Sequence, residues 1–322
     1  MIAMDDVGAR VAAIVVTYLP QIQPLADLLA RLEPQVASIF IVDNCPVEDR
    51  RVESLLGTSG SQKVRLMRLG GNLGIAKALN VGMEVAAAMG ATHVLLNDQD
   101  SLPAPDLVAG LLRALRELQM QGHRVAAVGP SFVDEVSGRL YRFQVRNPGH
   151  WFYHNQEPTE AVPHVQTLSL ITSGTLMPVE SIRAIGAMRE DFFIDHVDIE
   201  WSHRATAKGY LLFGTRYASM SHSMGERMLR VWIFGWRNLN EYGPLRLYYR
   251  YRNFVCLLRL RFVPIGWKLR ASCFWLQEAY AHLLFSNARL ASLGMIVRGC
   301  LDGVRGRMGR YPEHHVRPSG KA

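Results

Sequence analysis

The sequence predicts an α/β fold in which helices cover both faces of a doubly wound sheet. Over the first 130 residues, short apolar runs alternate several times with segments of helical spacing, which is typical of this class. The apolar runs also end in polar residues, and ligands of such sheets bind beyond the carboxyl ends of the strands. With 322 residues, of which 49% are hydrophobic, the chain can bury a substantial core.

The elements of the first half follow in order from these patterns. Val11–Thr17 is a continuous apolar run and is predicted to be a strand that is buried on both faces. The other predicted strands are residues 38–42, 64–69, 92–96 and 125–128. The predicted helices are residues 24–32, 74–89 and 105–121, the first with leucines at helical spacing on one side.

Beyond residue 130 the alternation is less regular. Strands are predicted at residues 139–146, 165–172 and 211–219, a looser segment at 147–163, and helices at 178–185 and from Asp198 onward. By composition the chain divides into an N-terminal tail (1–10), two α/β halves (11–130 and 131–243), a basic, apolar helical region (244–310) and a disordered tail (311–322).

The net charge favours an anionic partner. A formal charge of +8 and a pI near 9.5 suit a nucleotide, a nucleic acid or an acidic membrane face. The four cysteines are scattered without a Cys-x-x-Cys pair, which argues against a zinc site or a disulfide framework and favours a reducing compartment. The N-terminal residues lack the apolar core of a secretory signal, and no run of uncharged apolar residues predicts a spanning helix. We therefore expect a cytoplasmic protein that can lie on a surface there.

The tripeptide Asp98-Gln99-Asp100 directly follows the fourth predicted strand. Two carboxylates two residues apart suit a divalent cation, because Mg²⁺ and Mn²⁺ prefer oxygen ligands and Mg²⁺ usually takes one or two carboxylates together with substrate phosphates. The alternative is a solvated loop or a helix N-cap, which Ser101 and Pro103 fit.

Asp43 ends the second predicted strand at the same edge of the sheet. It could hydrogen-bond a nucleobase or a ribose, or it could serve as a turn or cap residue, and the sequence leaves both open. No Gly-x-Gly-x-x-Gly or P-loop motif follows the first strand, so neither dinucleotide binding nor P-loop phosphate binding is indicated.

The stretch DFFIDHVDIEW (residues 191–201) contains four acids among aromatic and branched residues. With a helix starting near Asp198, Asp195 is a candidate for its cap and Glu200 lies in its first turn. A partly buried acid here could be a general base. Alternatively, the acids cap the helix and pair with Arg204, which lies four residues after Glu200.

His222 follows the predicted strand 211–219. A lone histidine is usually structural or solvated, although its neutral ring could complete a metal site together with carboxylates from elsewhere in the chain.

From residue 244 onward, arginines and lysines are interspersed with Trp, Phe, Tyr and Leu on predicted helices. This composition suits the interface of an anionic membrane leaflet. The alternative is a set of ordinary core helices whose arginines face water.

Five segments in this order resemble the inverting family 2 glycosyltransferases of the GT-A fold, and above all the bacterial rhamnosyltransferases of surface polysaccharide synthesis. They are IVVTY (14–18), Val42-Asp43-Asn44, NLGIAKALN (72–80), Asp98-Gln99-Asp100 and FIDHVDIEWSHRATAKG (193–209), with His222 as a sixth feature. The resemblance implies a GT-A (Rossmann-like) mixed sheet flanked by helices, with a C-terminal helical region.

The resemblance also implies which residues bind the donor. Thr17 and Asp43 would hold its nucleotide, with Asp43 on the pyrimidine ring. Asn72 and Lys77 would line the nucleotide and phosphate pocket, and Gln99 would lie near the donor sugar.

A Mg²⁺ or Mn²⁺ ion is implied at Asp98 and Asp100, with His222 as a further ligand. Such an ion would neutralise the charge that develops on a leaving nucleoside diphosphate. A single displacement inverts the anomeric centre, so the reaction needs no covalent nucleophile.

The catalytic base implied by the family pattern is Asp198, with Glu200 and Arg204 as supporting neighbours. Many members have Glu-Asp where this chain has Val197-Asp198, and this departure leaves Asp195 as a rival base.

The implied function is a metal-dependent, inverting transfer of L-rhamnose from dTDP-L-rhamnose to a lipid-linked saccharide, as in O-antigen-type polysaccharide synthesis. Residues 244–310 would hold the enzyme peripherally on the cytoplasmic face of the inner membrane, and no nucleic acid partner is expected. One alternative is another donor, such as a UDP-hexose or UDP-galactofuranose. Two others are a nucleotidyltransferase, whose usual glycine-rich phosphate loop residues 18–23 do not provide, and a non-catalytic nucleic-acid-binding module.

Overall fold

The computed structural model describes residues 8–134, 142–146, 153–222, 228–232 and 235–312. The strands β1 to β13 are Val11–Thr17, Ser38–Asp43, Val64–Arg68, His93–Asp98, Ser101–Pro103, Val125–Asp134, Phe143–Arg146, Tyr153–Gln156, His164–Thr167, Thr175–Pro178, Leu211–His222, Met228–Trp232 and Trp236–Asn240. The helices α1 to α9 are Ile22–Leu32, Arg51–Ser59, Ile75–Ala88, Leu107–Met120, Val179–Ile185, Val197–Ala207, Pro244–Arg259, Ile265–Phe285 and Arg289–Arg305.

A mixed sheet forms the centre of the molecule. Its strand order is β3-β2-β1-β4-β10-β6-β11-β5, with β9 also paired to β11. Strands β1 to β4 are parallel, whereas β10 is antiparallel to both of its neighbours. Alternate residues of β1 contribute to two cores, Ile14 to one that includes α3 and Val15 to one that includes α1 and α4. The predicted α/β class, with helices on both faces of the sheet, is therefore confirmed.

The predicted elements of the first half are confirmed to within a few residues. Helix α1 begins two residues before its predicted start and buries Leu25, Leu28, Leu29 and Leu32. Two elements escaped prediction. Of the described side chains of α2 only Val52 is buried, so the helix has no long apolar stripe, and β5 is only three residues long and ends in proline.

The second half departs more from prediction. The expected strand 165–172 is wrong in extent, because β9 ends at Thr167 and a separate strand, β10, begins at Thr175. The segment expected to be loose contains β8, whose exposed and half-exposed side chains leave no apolar run in the sequence. Of the predicted strand 139–146, only β7 is described as a strand, and residues 139–141 lie outside the described ranges. Strand β6 continues past residue 130, so the predicted boundary there falls inside the common sheet.

The C-terminal helices pack onto the sheet domain and onto each other. Helix α9 lies close against α7, because a Cβ atom at Gly303 would stand only 2.7 Å from the carbonyl oxygen of Arg252. Within the described ranges, none of the helices combines the length and apolar composition needed to cross a membrane. Tyr311, predicted to begin a disordered tail, is instead buried against Tyr248, with ring centroids 4.6 Å apart. The prediction is wrong for Tyr311, and residues 313–322 lie outside the described chain.

Candidate active site

A cavity of about 810 Å³ lies beyond the carboxyl ends of the parallel strands. The strand ends of the first half form one side of the cavity, which we call the first wall. The loop before α6 and the first turn of that helix, together with residues 240–250 and α8, form the second wall, and Gln144 and residues 169–172 complete the lining. The polar lining residues of the first wall include Tyr18, Asn44, Asn72, Asp98, Gln99 and Asp100. Those of the second wall include Asp195, His196, Asp198, Tyr242, Arg246, Arg250, Trp267 and Trp275. Stretches that are far apart in the sequence therefore share one site.

The Asp98-Gln99-Asp100 tripeptide forms the tight connection between β4 and β5. Gln99 ties it to the end of β1, because the Tyr18 amide donates to the Gln99 side-chain oxygen at 2.8 Å and the Gln99 amide group donates back to the Tyr18 carbonyl at 3.2 Å. The alternative that this tripeptide caps a helix is wrong, since α4 begins only at Leu107, with Asp106 at its N-cap position. Both carboxylates of the tripeptide line the cavity.

Thr17 and Asp43 are buried behind the cavity wall, next to lining residues. The Thr17 hydroxyl donates to Asp43 Oδ1 at 3.0 Å, and Arg68 Nε lies 3.4 Å from Asp43 Oδ2. In this conformation both oxygens of the Asp43 carboxylate therefore have protein partners.

Asn72 lines the cavity, whereas Lys77 does not. Asn72 Oδ1 accepts hydrogen bonds from the Asn44 side chain at 3.2 Å and from the Gly74 amide at 3.0 Å. Lys77 is about half exposed and pairs with Glu190 at 3.3 Å, away from the residues that line the cavity.

The loop that precedes α6 (residues 191–196) has a strained backbone. Phe193 has φ 66° and ψ −63°, and the amide after it donates to the carbonyl before it at 2.8 Å, so it centres a γ-turn of the rare, strained kind. Asp195 and His196 also have positive φ angles, of 62° and 61°. Such conformations cost about 1–3 kcal/mol each and persist only where the surroundings enforce them.

The predicted capping role of Asp195 is wrong. The N-cap residue of α6 is His196, in a left-handed conformation, and among the described residues no side-chain hydrogen bond caps this helix. The Asp195 carboxylate instead contacts Arg246 at 3.2 Å and Arg250 at 3.3 Å. Arg250 in turn pairs with the buried Glu278 of α8 at 2.8 Å.

Asp195 and Asp198 line the same cavity in opposite electrostatic environments. Burial would raise the pKa of Asp195, but the charges of Arg246 and Arg250 outweigh burial and hold this pKa below its usual range. Burial raises the pKa of Asp198 to about 6, the negative charges of Asp195 and Asp98 add to the increase, and a backbone hydrogen bond of 2.8 Å opposes it. Asp198 is therefore the more basic of the two carboxylates.

Glu200 and Arg204 form the predicted pair at adjacent turns of α6. Two nitrogens of Arg204 contact the two carboxylate oxygens of Glu200 at 3.0 and 2.9 Å, and Glu200 is buried. Arg204 also donates to the carbonyls of Ile185 and Ala187 at the end of α5. The pair fastens α6 to its neighbour and does not line the cavity.

His222 is the last residue of β11, and its backbone pairs with Ser101 directly after the Asp98-Gln99-Asp100 tripeptide. Its side chain lies outside the described part of the structure. Among the described residues, no group of three or more His, Cys, Asp or Glu side chains is placed to hold a metal ion.

The sequence patterns missed the contribution of the C-terminal helices to this cavity. Arg246, Arg250, Trp267 and Trp275 were interpreted only as part of a membrane-associating region, yet all four line the cavity. A signal was present in the dense cluster of tyrosines and arginines at residues 248–252, but a sequence does not show which surface such a cluster faces.

The family model for glycosyl transferase family 2 matches residues 13–186, which is more than half of the chain. The protein therefore belongs to glycosyl transferase family 2 and is a glycosyltransferase. One relative is the dTDP-rhamnosyl transferase RfbF of Shigella flexneri, which is 28% identical over 306 residues, or 94% of this chain and 98% of that protein.

Solved structures support the fold. A crystal structure of GalNAc-T7 with UDP, GalNAc and Mn²⁺ has a TM-score of 0.59 at 12% identity and covers 94% of this chain and 57% of that one. A crystal structure of S. aureus TarS has a TM-score of 0.50 at 16% identity and covers 95% of this chain and 50% of that one. This chain thus spans 57% of the length of the first protein and 50% of the second.

Proposed function

We propose that this glycosyltransferase moves L-rhamnose from dTDP-L-rhamnose to a saccharide acceptor with inversion at the anomeric carbon. The observation that carries the mechanism is the meeting of Asp98, Asp100 and Asp198 at one cavity. The choice of sugar is supported by the similarity to the S. flexneri rhamnosyl transferase along nearly the whole chain. Family membership leaves the nucleotidyltransferase and nucleic-acid-binding alternatives without support.

In the proposed mechanism Asp198 is the base. Its pKa of about 6 keeps the carboxylate ionised at neutral pH and close enough to that pH to accept a proton efficiently. As the acceptor hydroxyl attacks the anomeric carbon, its proton passes to Asp198, the carbon–oxygen bond to the diphosphate breaks, and the electron pair stays on the diphosphate. Asp195 suits this step less well, because its pairing with Arg246 and Arg250 stabilises the ionised form.

The residues at the end of β4 fit a Mg²⁺ or Mn²⁺ ion. Asp98 and Asp100 both line the cavity, and the charge of Asp98 is felt at Asp198, where it raises the pKa. Two carboxylates form the kind of incomplete oxygen donor set that Mg²⁺ completes with water and substrate phosphate. When bound, the ion would stabilise negative charge on the leaving diphosphate. We keep His222 as a proposed further ligand because β11 ends beside Ser101.

The nucleotide of the donor is proposed to bind along the first wall. Asn72 and Gln99 line the cavity directly, with Gln99 on the side proposed for the donor sugar. Thr17 and Asp43 stay proposed nucleotide ligands, and contact of Asp43 with the pyrimidine ring would require its carboxylate to exchange a protein partner, Thr17 or Arg68, for the base. Contact with the donor phosphates would require Lys77 to exchange its partner Glu190 for them, which its exposed side chain allows.

The donor proposal is tested by measuring nucleoside diphosphate release from dTDP-L-rhamnose, a UDP-hexose and UDP-galactofuranose, with Mg²⁺, with Mn²⁺ and with chelator. We expect release from dTDP-L-rhamnose alone and loss of release with chelator. The glycosidic linkage of the product, read by NMR, should have the opposite anomeric configuration to the donor. Activity with another donor would replace the sugar and keep the mechanism, whereas retained configuration would contradict the mechanism.

We further propose that α8 and α9 lie on an anionic membrane surface, where a lipid-linked acceptor is found. Residues 244–312 contain twelve arginines and lysines and only two acids, Glu278 and Asp302, both of which are buried and paired. Helix α9 exposes an apolar stripe with spacings of three and four residues: Leu290, Leu293, Val297, Leu301 and Val304. An apolar helix face surrounded by cations is suited to the interface of an anionic leaflet.

Flotation with vesicles of anionic or neutral phospholipid tests this proposal. The double variant Leu290→Glu with Val304→Glu should lose binding to anionic vesicles, and Met120→Glu on α4, also an exposed apolar residue, should keep it. Removal of residues 244–310 is not a suitable test, because Arg246 and Arg250 belong to the cavity. Equal partition of all three proteins, or a dimer that only the double variant loses, would contradict the proposal.

A further inference from the structure

The strained loop before α6 is held by one asparagine of α7. The side-chain amide of Asn253, which is fully buried, donates to three carbonyl oxygens of the loop: Phe192 at 2.9 Å, Ile194 at 2.8 Å and Asp195 at 3.0 Å. All three carbonyls converge on the amide nitrogen of Asn253, and because this nitrogen carries only two N–H groups, two of the carbonyls share one of them. That convergence is compatible with the turned backbone of the loop and not with an extended one.

The neighbouring Arg252 is also fully buried and contacts the same loop. Its guanidinium donates to the carbonyls of Phe192, at 2.9 Å, and of Gly309, and it donates to Asn253 Oδ1 at 2.9 and 3.0 Å. The charge also lies over the ring of Tyr249, 5.0 Å from its centroid. Arg252 therefore orients the amide of Asn253 while it binds the loop itself.

The segment after α9 closes this arrangement from outside. The Gly309 amide donates to the carbonyl of Asp191 at 2.7 Å, and the Tyr311 amide donates to the Tyr249 hydroxyl at 2.7 Å. The other side of the loop rests on α3, where the Ile75 amide donates to Phe193 O at 2.7 Å. A Cβ atom at Gly74 would stand 2.6 Å from that same oxygen, so α3 and the loop are in direct backbone contact.

We propose that Arg252 and Asn253, with Gly309 behind them, are positioning residues for the reaction and set where the Asp198 carboxylate lies in the cavity. We call these three residues the clamp. Only Val197 separates Asp198 from the loop, so the conformation of the loop determines where α6 begins and where its first acid points. The clamp touches neither the cavity lining of the first wall nor the donor pocket proposed there. The inference rests on the proposed function, because Asp198 is its base.

The clamp is tested with Asn253→Ala and Arg252→Lys against Leu257→Ala, a fully buried core residue one turn further along α7. We expect kcat to fall about 100-fold in Asn253→Ala, because a displacement of about 1 Å at a reacting group has that effect, while nucleoside diphosphate affinity changes less than about threefold. Arg252→Lys keeps the cation but loses the planar fork, so its loss should be smaller. Leu257→Ala, measured well below its own melting temperature, should keep kcat within about threefold.

Hydrogen–deuterium exchange of the peptide that covers residues 190–197 supplies a measurement that needs no substrate. We expect faster exchange in Asn253→Ala and Arg252→Lys than in Leu257→Ala. If the wild type turned over no nucleotide sugar, the proposed function would fail while this exchange test of the clamp still stood. Equal exchange in all three variants, or losses of kcat that simply follow the losses of melting temperature, would overturn the clamp. If Asn253→Ala does not fold, Arg252→Lys alone decides between the same outcomes.

Discussion

The two walls of the cavity are built in different ways. On the first wall, Asp98 and Asp100 follow directly from a strand, and neither is among the described residues with positive φ. On the second wall, Asp195 lies in a strained loop, Asp198 follows that loop, and buried side chains of α7 hold the loop in place. The first wall therefore needs only the register of the sheet, whereas the second needs contacts from residues 51 to 61 positions away.

This difference corresponds to what each wall is proposed to do. A cation held by two carboxylates would take its other ligands from water and substrate phosphate, so the protein has to fix only part of the coordination. A general base must lie within hydrogen-bond distance of one proton and have a suitable pKa. The strained backbone therefore lies at the second wall, where the position of the proposed base matters most. Substitutions at the two walls should accordingly have different effects.

The largest expected effect is that of Asp198→Asn on the second wall. Removal of a general base typically costs 10²- to 10⁴-fold, so we expect kcat to fall about 10³-fold with donor binding intact. Steady-state kinetics together with calorimetric binding of the nucleoside diphosphate would measure both quantities. A kcat within about threefold of the wild type would move the base to Asp195.

The next effect concerns the first wall. Asp100→Ala removes one of two proposed metal ligands, and we expect kcat/KM to fall about 10²-fold together with loss of the metal-dependent part of nucleotide binding. The contrast with Asp198→Asn is diagnostic, because that variant should keep metal-dependent binding. Nucleotide titrations with Mn²⁺ and with chelator separate the two, and identical binding defects in both variants would erase the distinction between the walls.

The pH dependence of catalysis should follow Asp198, which has the higher pKa of the two acids of the second wall. As the proposed base, Asp198 would act in its ionised form, and its pKa is about 6, so kcat measured across a pH series should fall as the pH drops below about 6 and level off above it. A kcat that does not change between pH 5 and 8 would contradict this role.

The same raised pKa means that the ionised Asp198 opposes folding at neutral pH. Asp198→Asn should therefore increase the free energy of unfolding at pH 7–8 by about 1–3 kcal/mol, and the gain should shrink as the pH falls below about 6 and vanish only near pH 3, where the unfolded carboxyl is also protonated. Asp195→Asn should do the opposite and destabilise the protein at neutral pH, because it leaves Arg250 without one of its two carboxylate partners. Urea unfolding at both pH values would measure this, and changes of the same sign in both variants would contradict it.

The Glu200–Arg204 pair fastens α6 and should affect the stability of the fold more than catalysis. Glu200→Ala leaves Arg204 partly buried without its carboxylate, and we expect a loss of about 3 kcal/mol in the free energy of unfolding. Arg142→Ala breaks an exposed pair with Glu157 and should cost less than about 1 kcal/mol. Equal losses in urea unfolding would mean that the buried pair is not a structural anchor.

The sequence by itself determined the strands of the first wall and the acids at the end of β4, although it also predicted donor contacts for Thr17, Asp43 and Lys77, which do not line the cavity. The apolar run of β1, the helical spacing of α1 and the polar residues at the strand ends are local patterns, and parallel strands bring their carboxyl ends to one edge. The sequence alone therefore assigns Asp98 and Asp100 to this edge of the sheet. The ordered set of motifs also predicted the family to which the chain belongs.

Only the tertiary structure decided the second wall. Whether Asp195 caps a helix or pairs with Arg246 and Arg250 depends on how α7 packs against the loop, and local sequence carries no information about that contact. The pKa of a carboxyl likewise depends on burial and on charges that are distant in sequence. In the sequence, Arg252 and Asn253 are only part of a basic, aromatic stretch. In the fold both are buried and contact the loop, because packing brings residues that are distant in sequence to one backbone segment.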